Sequence, residues 1–228
     1  MIISHEHRFI FIRTRKTAST SIEIALSKLL GPDAVITSLS PRDEMLRLRN
    51  GGRPPQNHLL AAQQPGRDPL VPVPPGPGPD VRFYNHMPAG QVIAELGEVA
   101  WRSYFTFCFE RNPWDKVVSL YYHRYRNLPR PGFRRFVCSG EAKDALNWPL
   151  YTRSDTVEVD MIGKYESLEK DLTSALRHIG LPDPGPLPRA KSQFRPPRDV
   201  YQRVVDRVSR NFITEIFTKE IECHGYRW

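Results

Sequence analysis

The chain has 228 residues, of which 25% are charged and 39% hydrophobic, which indicates a soluble globular protein with a substantial core. No apolar run approaches the ~20 residues needed to cross a bilayer, and Met1–His7 lacks the apolar core and cleavage site of a secretory signal. We therefore expect a single domain over residues 1–228, without a membrane span.

The net charge of +8 favours an anionic partner through long-range attraction. Nucleic acid is the competing explanation, but the sequence contains no helix-turn-helix, zinc-finger or RNP-like aromatic motif. We therefore expect no nucleic-acid partner. Cys108, Cys138 and Cys223 are too few and too dispersed for a disulfide framework or a zinc site.

The first predicted elements are a strand, a loop and a helix. The apolar run Phe9–Ile12 stops abruptly, and Ile22, Leu26 and Leu29 then recur at helical spacing. Such a junction presents backbone N–H groups and the positive end of a helix dipole, which bind phosphate in open α/β folds. The polar residues between strand and helix are Arg13, Thr14, Arg15, Lys16, Thr17, Ala18, Ser19, Thr20 and Ser21. We expect this loop to bind an oxyanion through its lysine and its hydroxyls.

This loop is not a Walker A motif, which needs glycines that let the backbone wrap a triphosphate. No glycine lies between Phe9 and Ile22. The sequence therefore predicts a tighter loop that holds one phosphate. The alternative is a hydroxyl-capped helix start with a solvated basic flank.

The next hundred residues are less regular. A short helix is expected at about 42–49, and a Pro/Gly-rich irregular insertion at about 50–80. The insertion is either a disordered surface loop or a lid over the acceptor. Val81–Tyr84 suggests a short strand, and Met87–Ala100 is helix-like.

A second strand-to-helix junction follows. Tyr104–Phe109 is predicted to be a buried strand, and Asn112 is a good N-cap for the helix that starts at Pro113. Arg111 lies between them and can fork onto a second phosphate, to which Ser119 can donate from two turns along the helix. The alternative for Arg111 is an ordinary ion pair.

The remaining chain completes an alternating pattern. We expect a loop-rich stretch at 127–157, a strand at 159–163, a helix from Leu168 to Ile179 that Gly180 ends, and a long C-terminal helix from Asp199. Alternating strands and helices favour a three-layer α/β domain with a mainly parallel central sheet flanked by helices.

Together the two junctions resemble the PAPS-dependent sulfotransferases, in particular the branch of heparan sulfate 2-O-sulfotransferases and their bacterial relatives. The likeness rests on three motifs in order: Lys16-Thr17-Ala18-Ser19-Thr20-Ser21, Arg111-Asn112-Pro113-Trp114-Asp115 and Ser119-Leu120-Tyr121. It covers most of the chain except about residues 32–82, and departs at Arg15, where many relatives have proline. It implies a P-loop-like sulfotransferase fold. Golgi relatives carry a membrane anchor, whereas this sequence has no apolar run long enough for one. We therefore expect a cytoplasmic enzyme of bacterial type.

The resemblance also implies site residues. The loop from Lys16 to Ser21, with Arg13, would hold the 5′-phosphosulfate of PAPS. Arg111 and Ser119 would hold the 3′-phosphate, with Lys191 and Arg195 as further contacts. The product is PAP, and no metal is needed for transfer.

Sulfuryl transfer requires a base for the acceptor and a cation for the leaving oxygen. Lys16 is the expected cation and His86 the expected base, because imidazole transfers protons near neutral pH. His5 and His7 are assigned to a mobile terminus. The other histidines, which are weaker candidates, are His58, His123 and His178.

The acceptor is expected to be a hydroxyl, or less readily an amine, of a carbohydrate or small molecule. A small-molecule kinase is one alternative, although the missing glycines and the lack of a magnesium-binding carboxylate after a strand oppose it. A non-catalytic nucleotide- or polyanion-binding module is the other, and such a module has no need of His86.

Overall fold

The computed structural model describes residues 1–60, 78–126, 129–188 and 201–228, and its strands form one central sheet and one small hairpin. The strands are β1 (Ile2–Ser4), β2 (Phe9–Phe11), β3 (Val35–Ile36), β4 (Phe105–Glu110), β5 (Thr152–Arg153), β6 (Thr156–Val157) and β7 (Met161–Lys164). The five-stranded sheet has the order β3-β1-β2-β4-β7, while β5 and β6 pair separately.

The helices surround this sheet. They are α1 (Ser19–Ser27), α2 (Pro41–Arg49), α3 (Ala89–Leu96), α4 (Glu98–Ser103), α5 (Pro113–Arg124), α6 (Phe133–Cys138), α7 (Trp148–Tyr151), α8 (Leu168–Ile179), α9 (Tyr201–Val204), α10 (Arg207–Ile216) and α11 (Thr218–His224). None of these described helices has the length and apolar character that a membrane crossing requires.

The sheet is mainly parallel in direction. Strand β4 pairs in parallel with both β2 and β7, whereas β1 pairs antiparallel with β2 and β3. Strands β2, β3, β4 and β7 therefore run one way, and β1 runs the other way. The expected α/β class with a mainly parallel central sheet flanked by helices is confirmed.

Side-chain alternation along the strands produces a core on each face of the sheet. Phe107 and Phe109 pack with α1 and α8 on one face, while Cys108, between them, packs with α3 and α7 on the other. The same alternation separates Phe11 from Ile10 along β2. Helices on both faces give the three layers that the sequence predicted.

The N-terminal residues form part of the sheet, so the assignment of a mobile terminus was wrong. Met1, Ile2 and Ile3 have 0% exposure, and β1 pairs with strands on both sides. His5 and His7 lie in the turn between β1 and β2. A three-residue strand is too short for its periodicity to be recognised.

Two predicted helices are broken. The helix expected over Met87–Ala100 is divided into α3 and α4 at Gly97, whose φ of 92° and ψ of 143° do not fit a helix. The long C-terminal helix is divided into α9, α10 and α11. The Asp206 side chain starts α10 by accepting a hydrogen bond from Ser209 N at 2.8 Å.

The insertion predicted at about 50–80 lies partly outside the described residues. Its two described ends are side by side: Leu60 N donates to Asp80 O at 3.0 Å, and Phe83 N donates to His58 O at 2.9 Å. Val81 forms a single bridge with Leu59, so Val81–Tyr84 is not a strand. Residues 50–60 contain no helix or multi-residue strand, as expected for an irregular segment.

Candidate active site

The two predicted phosphate-binding junctions meet at the carboxyl ends of β2 and β4. Because these strands are parallel neighbours, the segments that follow them lie together. Thr14 Oγ1 donates to Phe109 O at 2.6 Å, and Arg111 Nη1 donates to Lys16 O at 2.9 Å. Residues from the first and second motifs are therefore in direct contact.

The loop between β2 and α1 contains two left-handed residues that are not glycine. Lys16 and Ala18 both have φ of 62°, a strained conformation for such residues. Left-handed residues within a turn can direct successive backbone N–H groups into one concave surface, which binds anions. The loop thus makes tight left-handed turns at Lys16 and Ala18 without the glycines of a Walker A motif.

The start of α1 suits an anion as well. Its N-cap residue, Ala18, provides no side-chain cap, and the first turn contains no acidic residue. The first N–H groups of a helix lack partners within the helix, and they carry partial positive charge. Ser19, Thr20 and Ser21 follow at this end and are all buried.

The hydroxyls of the loop differ in their contacts. Thr17 is fully buried, and its Oγ1 lies 2.8 Å from Thr14 Oγ1. Thr20 Oγ1 accepts a hydrogen bond from Arg13 Nη2 at 2.8 Å. The hydroxyls of Thr17 and Thr20 therefore form hydrogen bonds within the protein, to Thr14 and Arg13, that hold the loop and the start of α1 in place.

Arg13 is the first residue of this polar segment, and its buried side chain is not part of a solvated basic flank. It is 5% exposed, forms a buried ion pair with Glu23, and donates from Nη1 to Asn85 Oδ1 at 3.0 Å. Burial alone would raise the pKa of Glu23, but Arg13 and the Met1 amino group outweigh it and lower this pKa to about 2. Arg13 thus joins the loop to α1 and to the segment carrying His86.

His86 is held beside the loop although 73 residues separate it from Arg13 in sequence. Its Nδ1 lies 2.9 Å from Arg13 O. Because a carbonyl oxygen only accepts, Nδ1 carries the hydrogen and Nε2 keeps the lone pair in the neutral ring. Burial, followed by the charges of Arg13 and Arg15, holds the pKa of His86 well below 6.5. His86 is therefore neutral at neutral pH, with Nε2 available as a proton acceptor.

Arg111 makes the ion pair that was its alternative interpretation, and it also reaches the loop. Its Nε donates to Asp115 Oδ2 at 2.7 Å, and its guanidinium lies 3.9 Å from the centre of the Tyr165 ring. Asn112 caps α5 through Asp115 N, as predicted. Ser119 is half-buried and lies four residues beyond Asp115, on the same face of α5.

The remaining predicted residues are placed differently. Lys191 and Arg195 lie outside the described residues. His178 packs against Phe105, at the opposite end of β4 from Arg111, with ring centres 4.2 Å apart. In the described parts of the chain, no group of three or more His, Cys, Asp or Glu residues is placed to hold a metal ion.

Sequence reasoning missed a buried polar cluster beneath the loop. It consists of Glu110, Lys116, Asn147 and Glu220, all with 0% exposure. Lys116 Nζ lies 2.8 Å from Glu110 Oε2 and 2.5 Å from Glu220 Oε2. The sequence offered one sign of Glu110, a charged residue directly after the predicted strand Tyr104–Phe109. Asn147 lies in a stretch without recognisable periodicity.

Comparisons with known proteins identify the family of the chain. The sequence model of the sulfotransferase family matches residues 1–227. A protein of Archaeoglobus fulgidus, described as an uncharacterized protein, is 47% identical over 102 residues, which are 42% of this chain and 85% of that protein. No solved structure matches the chain. With a family match over nearly its whole length, the chain belongs to the sulfotransferase family, whose members transfer sulfate groups.

Proposed function

We propose that the chain is a PAPS-dependent sulfotransferase that transfers a sulfuryl group to a hydroxyl of a carbohydrate or small molecule. One observation carries the proposal: His86 Nδ1 lies 2.9 Å from Arg13 O, at the start of the loop that contains Lys16. This contact leaves Nε2 as the proton acceptor. A base and a cationic anion-binding loop are thus joined. The P-loop-like fold, the kinship with the 2-O-sulfotransferase branch and the cytoplasmic location are part of this proposal.

The residues present suit a nucleotide with phosphate groups. The left-handed Lys16 and Ala18, the uncapped start of α1 and the net charge of +8 all favour an anion. Arg111 and Ser119 on the neighbouring junction are the proposed contacts of the 3′-phosphate. When bound, PAPS supplies the sulfuryl group in activated form.

The protein residues divide the chemistry between them. His86 Nε2 takes the proton of the acceptor hydroxyl as that oxygen attacks, a role that requires the neutral ring. The Lys16 ammonium neutralises the negative charge that develops on the departing phosphate oxygen. Arg13 keeps both groups at one site, because it bonds to His86 through its carbonyl and to the helix through Glu23 and Thr20.

Thermal stability with PAP, ATP and heparin tests the choice of donor. Binding to the folded state raises the unfolding temperature, so we expect PAP to stabilise the protein more than ATP or heparin. An equal or larger shift with ATP would favour a kinase, and a shift with heparin alone would favour a polyanion-binding module.

Transfer from labelled PAPS to a panel of sugars and phenols tests the residues. We expect His86→Ala to lose about 10²–10⁴-fold in turnover with nearly unchanged PAP affinity. Lys16→Ala should lose on the order of a hundredfold or more in turnover, with a smaller loss of PAP affinity. The control variants are His178→Ala and Lys170→Ala, both exposed on α8. Wild-type turnover in either site variant would refute that assignment.

A further inference from the structure

We propose that Asn147 is a positioning residue for the phosphate loop, defined as Thr14–Ala18. It would act by fixing the backbone of this loop through the buried cluster of Glu110, Lys116 and Glu220. This inference rests on the proposed function for its link to PAPS, although the control of loop shape can be tested without any nucleotide.

The amide of Asn147 makes a two-point contact with Arg15. Arg15 N donates to Asn147 Oδ1 at 2.7 Å, and Asn147 Nδ2 donates to Arg15 O at 3.1 Å. The backbone N–H and C=O of Arg15 are therefore both bonded to one side chain, in the two-bond pattern that joins paired residues of antiparallel strands. The next residue is the left-handed Lys16, so the contact restrains the backbone where the strained conformation begins.

Asn147 is also bonded to two buried carboxylates, through its side-chain amide and through its backbone N–H. Asn147 Nδ2 donates to Glu110 Oε1 at 2.6 Å, and Asn147 N donates to Glu220 Oε1 at 2.6 Å. A carboxylate accepts and a backbone N–H donates, so the contacts to Glu110 and to Arg15 agree on which amide atom is nitrogen. Because the hydrogen bonds are buried and satisfied, the amide has little freedom to turn.

Glu110 reaches the loop by a second route. Its Oε2 accepts from Arg111 N at 2.9 Å, and Arg111 Nη1 donates to Lys16 O at 2.9 Å. Two successive loop carbonyls, Arg15 O and Lys16 O, thus accept from the side chains of Asn147 and Arg111, two residues that each also bond to Glu110. Carbonyl oxygens repel an anion, so holding them on protein donors favours a loop shape that presents N–H groups to phosphate.

The effect of removing Asn147 follows from these contacts. Asn147→Ala deletes both bonds to Arg15, and Asn147→Asp keeps the acceptor but replaces the donor with a carboxylate facing Glu110. The free energy of such hydrogen bonds, converted to a change in affinity, corresponds to about 10- to 100-fold weaker binding. We expect such a loss for PAP and for PAPS, with the KM of the acceptor unchanged.

Hydrogen–deuterium exchange of the nucleotide-free protein, with calorimetric PAP binding, tests the proposal. The matched control is Tyr151→Phe, four residues from Asn147 in sequence. This change removes the hydroxyl of a fully buried tyrosine, which lies 3.1 Å from His224 Nε2. We expect faster exchange at Thr14–Ala18 in both Asn147 variants and wild-type exchange there in the control. PAP affinity should fall only in the Asn147 variants.

Three results would overturn the proposal. The first is wild-type exchange at Thr14–Ala18 in the Asn147 variants, and the second is exchange in Tyr151→Phe as fast as in those variants. The third is loss of the folded circular dichroism spectrum in both Asn147 variants. The last would mean that Asn147 serves the whole fold. A wild-type protein that does not bind PAP would refute PAPS as the donor, while loop exchange would still decide the role of Asn147.

Discussion

Burial and two nearby cations determine how the function of His86 should depend on pH. Burial is the largest cause of its lowered pKa, and Arg13 and Arg15 add to it. A base works only when unprotonated, so turnover should fall only once the pH drops to this lowered pKa. The acid limb of the profile therefore lies well below pH 6.5 if His86 is the base.

Arg15→Gln should move that acid limb to higher pH. Removing a positive charge favours the protonated imidazole, so the pKa of His86 rises and turnover is lost earlier as the pH falls. The measurement is kcat against pH at saturating donor and acceptor. Arg8→Gln is the control, because Arg8 is exposed and precedes β2 at its opposite end. An unchanged limb in Arg15→Gln would argue against His86 as the titrating base.

Ser119 and Arg111 should differ in how they affect nucleotide binding. Ser119→Ala should weaken PAP by about tenfold and leave a nucleotide without the 3′-phosphate nearly unaffected. Arg111→Ala should weaken PAP more, because a charge-assisted contact is stronger. It should also weaken the second nucleotide, since Arg111 holds Lys16 O. Calorimetry measures both affinities, with exposed Ser174→Ala as the control. An equal loss for both nucleotides in Ser119→Ala would refute its 3′-phosphate role.

At the scale of elements, local signals predicted the junctions well. Asn112 and Pro113 start α5, and α8 spans Leu168–Ile179 and ends at Gly180, as expected. The breaks in the other helices depend on single residues such as Gly97 and Asp206, whose apolar neighbours continue a helical period. Strand β1 escaped recognition because three residues are too few to show a period, and its pairing with neighbouring strands is what defines it.

Gly97→Ala should destabilise the protein at the break between α3 and α4. The φ of 92° with ψ of 143° is a conformation that residues with a Cβ rarely adopt, so we expect a loss of about 1–3 kcal/mol in the free energy of unfolding. Urea denaturation measures it. Gly132→Ala is the control, because Gly132 has φ of −59° and open space around its Cβ position. Equal stability of the two variants would show that the break tolerates alanine.

At the scale of the whole molecule, the cluster beneath the loop joins distant parts of the chain. Lys116 and Glu220 are 104 residues apart, and Asn147 and Arg15 are 132 apart. No local pattern predicts such pairs, which explains why sequence reasoning found the loop and not its support. The expectation of one domain over residues 1–228 stays a prediction, and a single unfolding transition by several probes would test it.

The cluster also predicts how stability depends on pH. It contains two buried carboxyl groups and one ammonium, so ionisation of both carboxyl groups would leave one negative charge unbalanced among these residues. Burial, together with the nearby Glu220 and against the attraction of Lys116, raises the pKa of Glu110 from 4.5 to about 7. Between these values the folded state binds more protons at Glu110 than the unfolded state does. This residue therefore makes the free energy of unfolding fall as the pH rises from about 4.5 to about 7.

Glu110→Gln should remove this dependence, because an amide of the same shape carries no charge. Relative to this variant, the wild type should lose on the order of 1–3 kcal/mol between pH 4.5 and pH 7.5. Urea denaturation of both proteins across this range gives the difference, in which the titration of groups that they share largely cancels. Glu169→Gln, exposed on α8, should show a constant difference from the wild type. A constant difference for Glu110→Gln as well would mean that Glu110 is ionised throughout this range in the folded protein, with Lys116 neutralising it fully.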